Sequence, residues 1–344
     1  MSGEAATGIV PAERLRHLAR EMLVEAGLTA DDAEIVADEV VDAEQRGYDS
    51  QGLIRLPPYV RWAMAGEIVS PAAPEVLRET PTTLTVDAHD GWGHVVCLKV
   101  MRTCVDRAKA SGVCVATVRN TPHVGRLGYY VEAAAEAGAI GVIAGSGDYG
   151  SATMAPWGGR EPRLATNPIA FGFPHPDGAP VVADISTTQV ARGKVLLAGA
   201  HDEEIPPGWA FDAAGEPTTD PHRALPPDGT LAPLGGHKGY ALAVVVELLC
   251  GALGGEYPPR SGAMFLAAIN PGSLTTGPEY GAAVTEMERW ITSSAPRQGF
   301  DEVLLPGAGS ARRKVSSEAD GVAVSGPVWQ DVLDLAAELG VAVP

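Results

Sequence analysis

The spacing of apolar residues predicts alternating helices and strands over the first 144 residues. Leu15, Leu18, Ala19 and Leu23 recur at helical spacing. The segment 113–119 alternates β-branched residues, as a half-buried strand does. The predicted helices span about 11–26, 31–46, 53–65, 95–110 and 127–137. The predicted strands span 84–87, 113–119 and 139–144.

The pattern changes from Gly145 to Pro233, where glycine and proline are frequent and helical periodicity is scarce. The later elements that we predict are a strand at 180–184, helices at 190–200, 240–253 and 327–339, and a mixed segment at 280–291. The chain as a whole is therefore predicted to have a mixed α/β fold.

Composition narrows the function classes. The formal net charge of the 344 residues is −18, which argues against a nucleic-acid partner, because such a protein needs a basic face to displace counterions. The N-terminus has no basic segment followed by an apolar stretch, so no signal peptide is expected. The longest apolar run, 241–253, contains Glu247 and is too short for a bilayer. A cytoplasmic protein without membrane partners is the expectation.

The cysteines give no sign of a metal site. Cys97, Cys104, Cys114 and Cys250 form no Cys-x-x-Cys pair and no zinc-ligand pattern with histidine. Isolated cysteines in apolar surroundings are usually buried small hydrophobes. We therefore expect no bound metal and four buried thiols.

One glycine pattern is misleading. Gly145–Gly150 matches G-x-G-x-x-G and follows a predicted strand. A Rossmann loop must open directly into a helix whose first amides hold the pyrophosphate, but Pro156 and the pair Gly158-Gly159 leave no room for one. The acidic residue expected about 20 positions on is also absent. We therefore reject a Rossmann site here.

Three other segments concentrate polar side chains among glycines and prolines: 49–59, 119–128 and 233–240. In the first, Ser50 suits a helix N-cap or a catalytic role, and Arg55 suits carboxylate capture or a solvated surface. In the second, His123 follows a strand, where ligands often bind, although a lone histidine is more often structural. In the third, two glycines precede His237 and Lys238 at a helix start, which suits an anion.

These segments, taken in order with 155–159, 166–168 and 184–186, resemble the malate/L-lactate dehydrogenase family of the non-Rossmann type over roughly residues 10–340. The resemblance implies a single α/β unit with a largely antiparallel central sheet flanked by helices. In that unit the helical parts 10–80 and 300–344 would pack together, and 81–299 would bind cofactor and substrate. It also implies a homodimer with its active site near the subunit interface.

The resemblance further implies hydride transfer between NADP or NAD and C2 of a small 2-oxo acid, 2-hydroxy acid or cyclic 2-imino acid. Arg55 would hold the substrate carboxylate. The pocket would be lined by Thr166, Arg192 and Gly193. The groups around the reacting centre would be Ser50, Gln51, His123 and, as a further polar candidate, Lys194. The cofactor would contact His123, Val124, Gly125, Arg126, Leu127, Asp184, Ile185, Ser186, His237, Lys238, Pro306, Gly307 and Arg312.

The chain departs from the family pattern at Gln51. The family turn usually reads Asp-Ser-His-Gly, and its histidine is assigned as the proton donor, whereas Gln51 cannot shuttle a proton. Three explanations stay open. His123 takes over proton transfer, the substrate arrives as an iminium ion that needs only hydride, or the chain binds cofactor and substrate but reacts slowly.

A second departure follows Pro306-Gly307. In place of a charged residue directly after the glycine, the chain has 308–310 and then the basic trio Arg312-Arg313-Lys314. The trio either meets the extra phosphate of NADP or is a solvated run of charge. The sequence leaves NAD against NADP undecided.

Overall fold

The computed structural model describes residues 6–343. Its α-helices are α1 Ala12–Glu25, α2 Ala30–Gln45, α3 Leu56–Met64, α4 Gly93–Ser111, α5 Leu127–Glu136, α6 Arg192–Ala200, α7 His237–Glu247, α8 Gly277–Thr292, α9 Ala308–Asp320 and α10 Gly326–Leu339. Its strands are β1 Ala6–Val10, β2 Glu75–Thr80, β3 Thr83–Asp87, β4 Val113–Arg119, β5 Ile140–Gly147, β6 Ile169–Phe173, β7 Val181–Ile185, β8 Ala210–Asp212, β9 Pro217–Thr218, β10 Gly229–Leu231, β11 Gly262–Ile269 and β12 Val322–Ser325.

A seven-stranded sheet in the order β2-β3-β4-β11-β5-β6-β7 forms the centre. Only β3 and β4 run parallel, so the expectation of a largely antiparallel sheet is confirmed. Helices α4 and α5 pack on one face. On the other face lie α7 and the single π-helical turn Leu248–Ala252 that continues it. The layers bury an apolar core that includes Met101, Tyr130 and Ile143.

A second core joins the two ends of the chain. β1 pairs antiparallel with β12, and α10 packs against α1 and α3. The buried residues of this core come from α1, α2, α3, the start of α4, β12 and α10. The two 3-10 turns after α2, which carry Ser50 and Arg55, are attached to this core through Leu53 and Leu56.

The sequence predicts eight of the ten α-helices in the described part of the chain but only four of its strands, β3, β4, β5 and β7. The segment 280–291 was expected to be mixed, and it is the helix α8, which begins at a capping box formed by Thr276 and Glu279. The central strand β11 was missed because its run of apolar residues does not alternate. The sequence does not predict helix α9, whose basic trio it assigns either to the extra phosphate of NADP or to a solvated run of charge. The expectation that all four cysteines are buried is confirmed.

Within residues 6–343 no helix is long and apolar enough to cross a bilayer. The same residues contain no grouping of three metal-ligating side chains.

Candidate active site

The turn that carries Ser50 and Gln51 rests on a buried carboxyl group. Two consecutive 3-10 turns, Asp49–Gln51 and Leu53–Arg55, enclose Gly52. Oε2 of Glu44 accepts a hydrogen bond of 2.8 Å from the Leu53 amide, and a β-carbon at Gly52 would overlap this carboxylate. A side chain at position 52 would displace the Glu44 carboxylate from the Leu53 amide. Burial raises the pKa of Glu44 to about 7.

The same turn positions Arg55. Its Nε donates to the Ser50 carbonyl oxygen at 2.8 Å, which holds the guanidinium beside the turn. The Ser50 side chain makes no capping hydrogen bond with either 3-10 turn, so the N-cap interpretation is wrong. The side-chain oxygen of Gln51 is buried and accepts no hydrogen bond from the described residues.

The tautomer of His123 follows from its two partners. Nδ1 lies 2.6 Å from the Tyr59 hydroxyl and 3.1 Å from the Gly125 amide nitrogen. Because a backbone N–H can only donate, Nδ1 must be the acceptor, and the Tyr59 hydroxyl then donates to it as well. The ring proton is left on Nε2. Tyr59 is completely buried whereas His123 is exposed, so Nε2–H is the part of this pair that a ligand can reach.

His123 is held in its neutral form. The protein packed around its inner edge and, secondarily, the positive charge of Arg55 lower the pKa of His123 far below its usual value. The imidazole is therefore uncharged at neutral pH. It presents a hydrogen-bond donor and no positive charge. Arg55 lies one helical turn before Tyr59, whose hydroxyl contacts His123.

Beneath this pair lies a buried stack of polar groups. The His94 ring meets Tyr59 edge to face, with centroids 4.9 Å apart, and its Nε2 lies 3.6 Å from Oε2 of Glu39. Burial raises the pKa of Glu39 to about 8 and lowers that of His94 to about 3. The stack is therefore mostly uncharged at neutral pH.

Arg126 anchors the loop that carries His123. Its guanidinium is almost fully buried and forms ion pairs with Asp42 at 2.7 Å and Glu132 at 2.6 Å. Its amide donates to Oε1 of Glu39 at 2.7 Å. The Arg126 side chain is thus occupied in the interior, so the predicted cofactor contact at this residue would have to come from its backbone.

A second group of predicted residues is linked by backbone hydrogen bonds. Asp184, on β7, accepts at 2.7 Å from the Gly128 amide in the first turn of α5. Burial raises the pKa of Asp184 although Arg126 opposes the shift. Farther along, the Thr187 amide and hydroxyl both donate to the Thr166 carbonyl at 2.9 Å. The Thr187 carbonyl accepts from the Leu234 amide, which ties this group to the start of α7.

The start of α7 is open to solvent. Gly235 and Gly236 have φ values of 60° and 67°, and His237 and Lys238 are exposed. Trp157 packs against this segment, with its ring centroid 6.1 Å from that of His237.

The start of α6 meets the Ser50 turn. A β-carbon at Gly193 would come within 2.8 Å of Cβ of Ser50, so the two segments touch. Arg192 and Lys194 on either side are exposed. Contacts of the Ser50 turn and of Tyr59 thus bring together Arg55, His123 and Gly193, which are far apart in sequence.

The sequence matches the profile of a family described as malate/L-lactate dehydrogenase over residues 10–333. The chain belongs to the malate/L-lactate dehydrogenase family. It is an oxidoreductase, as are the relatives reported below.

The L-lactate dehydrogenase of Cupriavidus necator is 36% identical over 342 residues, which cover 96% of this chain and 97% of that enzyme. The Δ1-pyrroline-2-carboxylate reductase of Ancylobacter novellus is 34% identical and covers 92% of this chain and 94% of its own. The solved structure of sulfolactate dehydrogenase from Methanocaldococcus jannaschii superposes with a TM-score of 0.88 at 34% identity, covering 98% of both chains.

In this family member the segment after Pro306 borders a cleft of about 500 Å³. The Pro306 carbonyl accepts from the Val182 amide at 3.1 Å, and Gly307, at φ 88°, begins α9. The cleft is lined by His175, Gly178, Ala179, Pro180, Val181, Glu288, Leu305, Pro306, Ala308, Ala311, Arg312, Val315 and Ser316.

The structure divides the basic trio. Arg313 donates through Nε to the Arg46 carbonyl at 2.7 Å, and Lys314 pairs with Asp42 at 2.7 Å, so both face α2. Of the three, only Arg312 lines the cleft, and its guanidinium donates to both carboxylate oxygens of Glu302. The three residues therefore act neither together as a phosphate site nor together as a solvated run of charge.

Several site residues carry no signal in the sequence. Tyr59 meets His123 from 64 positions away, and Glu39 and His94 lie on helices whose apolar pattern hides them. Of these three residues, only Tyr59 lies in one of the polar segments that the sequence analysis identifies, at the end of 49–59.

Proposed function

We propose that this family member transfers hydride between a nicotinamide cofactor and C2 of a small 2-oxo acid or 2-hydroxy acid. The observation that carries the proposal is that Arg55 and Tyr59, four residues apart at the start of α3, bring the guanidinium of Arg55 to the side of the helix where the Tyr59 hydroxyl holds His123. A guanidinium binds a carboxylate in a fixed orientation, and a donor next to it can reach the oxygen on the adjacent carbon.

The residues present fit a dinucleotide. The glycine turn at Gly235 leaves open space, and it leads into the eleven-residue helix α7 with the exposed Lys238 in its first turn. Free amides and a lysine at a helix start suit a pyrophosphate. The loop from His123 to Leu127 would flank the nicotinamide, and the cleft beside Pro306 and Gly307 would accept the adenosine half.

When bound, the cofactor supplies or receives the hydride, and the chain supplies placement and electrostatics. Only Nε of Arg55 is used within the described residues, so both terminal nitrogens remain for the substrate carboxylate. The Nε2–H of His123 stabilises negative charge as it develops on the C2 oxygen, as a neutral donor aimed at an oxyanion does, and that oxygen then takes its proton from water. Ser50, Thr166, Arg192 and Lys194 would complete the pocket.

A second candidate reaction is the reduction of a cyclic 2-imino acid. The unpaired, buried oxygen of Gln51 favours it, because an iminium N–H can donate to that oxygen whereas the carbonyl of a 2-oxo acid cannot. Such a substrate needs hydride and no proton from position 51, which suits glutamine.

An assay of NADH and NADPH oxidation separates these possibilities. The substrates would be a panel of 2-oxo acids and Δ1-pyrroline- and Δ1-piperideine-2-carboxylate. Turnover of the oxo acids supports the first candidate, and turnover confined to the cyclic imines supports the second. Saturable cofactor binding without turnover of any substrate would instead favour a family member that has lost its catalytic power.

We also propose a homodimer. Large apolar side chains are exposed on α6, on the outer face of α7 and just beyond it: Leu196, Leu197, Val245, Leu248 and Leu253. A patch of this kind on one side of the site suits a subunit contact. Light scattering coupled to gel filtration should give twice the chain mass of 35.6 kDa, and a monomer would exclude the dimer.

A further inference from the structure

The cleft beside α9 carries a feature that bears on cofactor choice. Its floor and walls are largely apolar, formed by Pro180, Val181, Leu305 and Pro306. Two charged side chains line the cleft, Arg312 and Glu288, and Oε2 of Glu288 lies 3.1 Å from Nε2 of His175. Glu302 is not itself a lining residue, but it lies beside the cleft because its carboxylate pairs with Arg312.

Strand β7 connects this cleft to the proposed nicotinamide site. Val181 lines the cleft at one end of the strand, and Asp184, near the other end, bonds to the Gly128 amide next to the His123 loop. The four residue steps from Val181 to Ile185 span roughly 13 Å at about 3.3 Å per residue. An extended dinucleotide with its nicotinamide at His123 would therefore place its adenosine half at the cleft.

The Arg312–Glu302 ion pair should bind the adenosine ribose of NAD, which carries a free 2′,3′-diol, better than that of NADP, which carries a 2′-phosphate. A carboxylate has about four lone-pair positions, so Glu302 can keep Arg312 and still accept hydrogen bonds from a 2′,3′-diol. A 2′-phosphate must pull Arg312 away from Glu302 and then remain beside that carboxylate. A 2′-phosphate in the cleft would meet the carboxylate of Glu288, and that of Glu302 beside Arg312, against a single guanidinium, on a chain whose net charge is −18.

Resting on the function proposed above, we infer that Glu302 makes this enzyme selective for NAD(H) over NADP(H), by accepting the ribose diol and keeping Arg312 from a 2′-phosphate. An acidic side chain on the ribose hydroxyls and an arginine on the 2′-phosphate are the usual opposing solutions to this choice. In this chain both kinds of side chain are present, and the carboxylate of Glu302 pairs with Arg312.

The test is direct binding of NADH and NADPH, followed by nicotinamide fluorescence, to the wild-type protein and three variants. Wild type should bind NADH at least tenfold more tightly than NADPH. Glu302→Gln should reduce that ratio at least tenfold, mainly by tightening NADPH, because Arg312 is released. The double variant Glu302→Gln/Arg312→Gln should lose the gain for NADPH. Both positions are more than half exposed, so the variants should fold.

Glu79→Gln is the matched control. Glu79 pairs with Arg107 on the surface in the same way, and its loss changes the net charge equally, but it lies on β2. The NADH to NADPH ratio should not change in this variant. Wild-type preference for NADPH, or an unchanged ratio in Glu302→Gln, would overturn the assignment of Glu302 while leaving the proposed function intact. Failure of wild type to bind either nucleotide would overturn both.

Discussion

Removal of the Tyr59 hydroxyl tests the proposed role of His123 most sharply. Tyr59→Phe deletes the 2.6 Å hydrogen bond to Nδ1 but keeps the buried ring packed on His94 and Trp92. A net hydrogen bond of this kind is worth about 1 kcal/mol. The free energy of unfolding should fall by about that amount. The free-energy preference for the Nε2–H tautomer of His123 should fall by a similar amount, because only the Gly125 amide still donates to Nδ1.

A loss of about 1 to 1.4 kcal/mol in orientation corresponds to a five- to tenfold fall in kcat/KM. Because the hydroxyl does not face the cofactor cleft, the Kd for NADH should stay unchanged. Nitrogen-15 shifts of the His123 ring should show protonated Nε2 and unprotonated Nδ1 in wild type, and a mixed signal in the variant.

Tyr129→Phe is the matched control, since it also loses one tyrosine hydrogen bond, to Asp38 at 2.8 Å, but has no contact with His123. It should lose similar stability with little change in kcat/KM. The reasoning about His123 fails if Tyr59→Phe keeps full kcat/KM and the wild-type ring shifts.

Three more predictions concern the site and the buried stack below it. Arg55→Ala should raise the KM for the carboxylate substrate about 10- to 100-fold, the loss of a charge-assisted hydrogen bond of about 1.5–3 kcal/mol, whereas Arg61→Ala, which removes an exposed pair with Asp331, should not change it. Gln51→His should leave turnover of 2-oxo acids intact or raise it; a large drop on a good substrate would give Gln51 a chemical role of its own. Glu39→Gln should flatten the fall in unfolding free energy between about pH 4.5 and pH 8. Because burial raises the pKa of Glu39 to about 8, its contribution is complete below pH 4.5 and is lost as the pH rises, by up to about 1.4 kcal/mol per pH unit. Urea unfolding at pH 5 and pH 8 measures this slope, and an equal slope in both proteins would contradict the assignment.

The sequence specifies local elements well where periodicity and breakers agree. β4 has the predicted bounds, 113–119, and α5 starts at the predicted Leu127, because alternation and helical spacing are local signals. The sequence did not predict β11, because a strand that is covered on both faces shows a continuous apolar run instead of alternation. The Thr276–Glu279 capping box was a usable signal for α8 that the apolar pattern did not reveal.

The rejection of a Rossmann loop is confirmed in the fold. Gly147 ends a strand that pairs antiparallel with β11, and a single 3-10 turn, Tyr149–Ser151, follows in place of a helix. Neither the burial of the Arg126 side chain nor the Tyr59–His123 contact could be predicted from the sequence. Both depend on which helices pack together, and no local pattern encodes that.

The account depends most on a nicotinamide nucleotide and a carboxylate binding side by side, with Arg55 holding the acid. The most direct test is a titration of NADH into wild type and Arg55→Ala, each with and without oxamate, an unreactive analogue of a 2-oxo acid. We expect saturable NADH binding in both proteins, and tighter binding with oxamate in wild type alone. The absence of saturable binding of NADH, and equally of NADPH, in the wild-type protein would contradict the account.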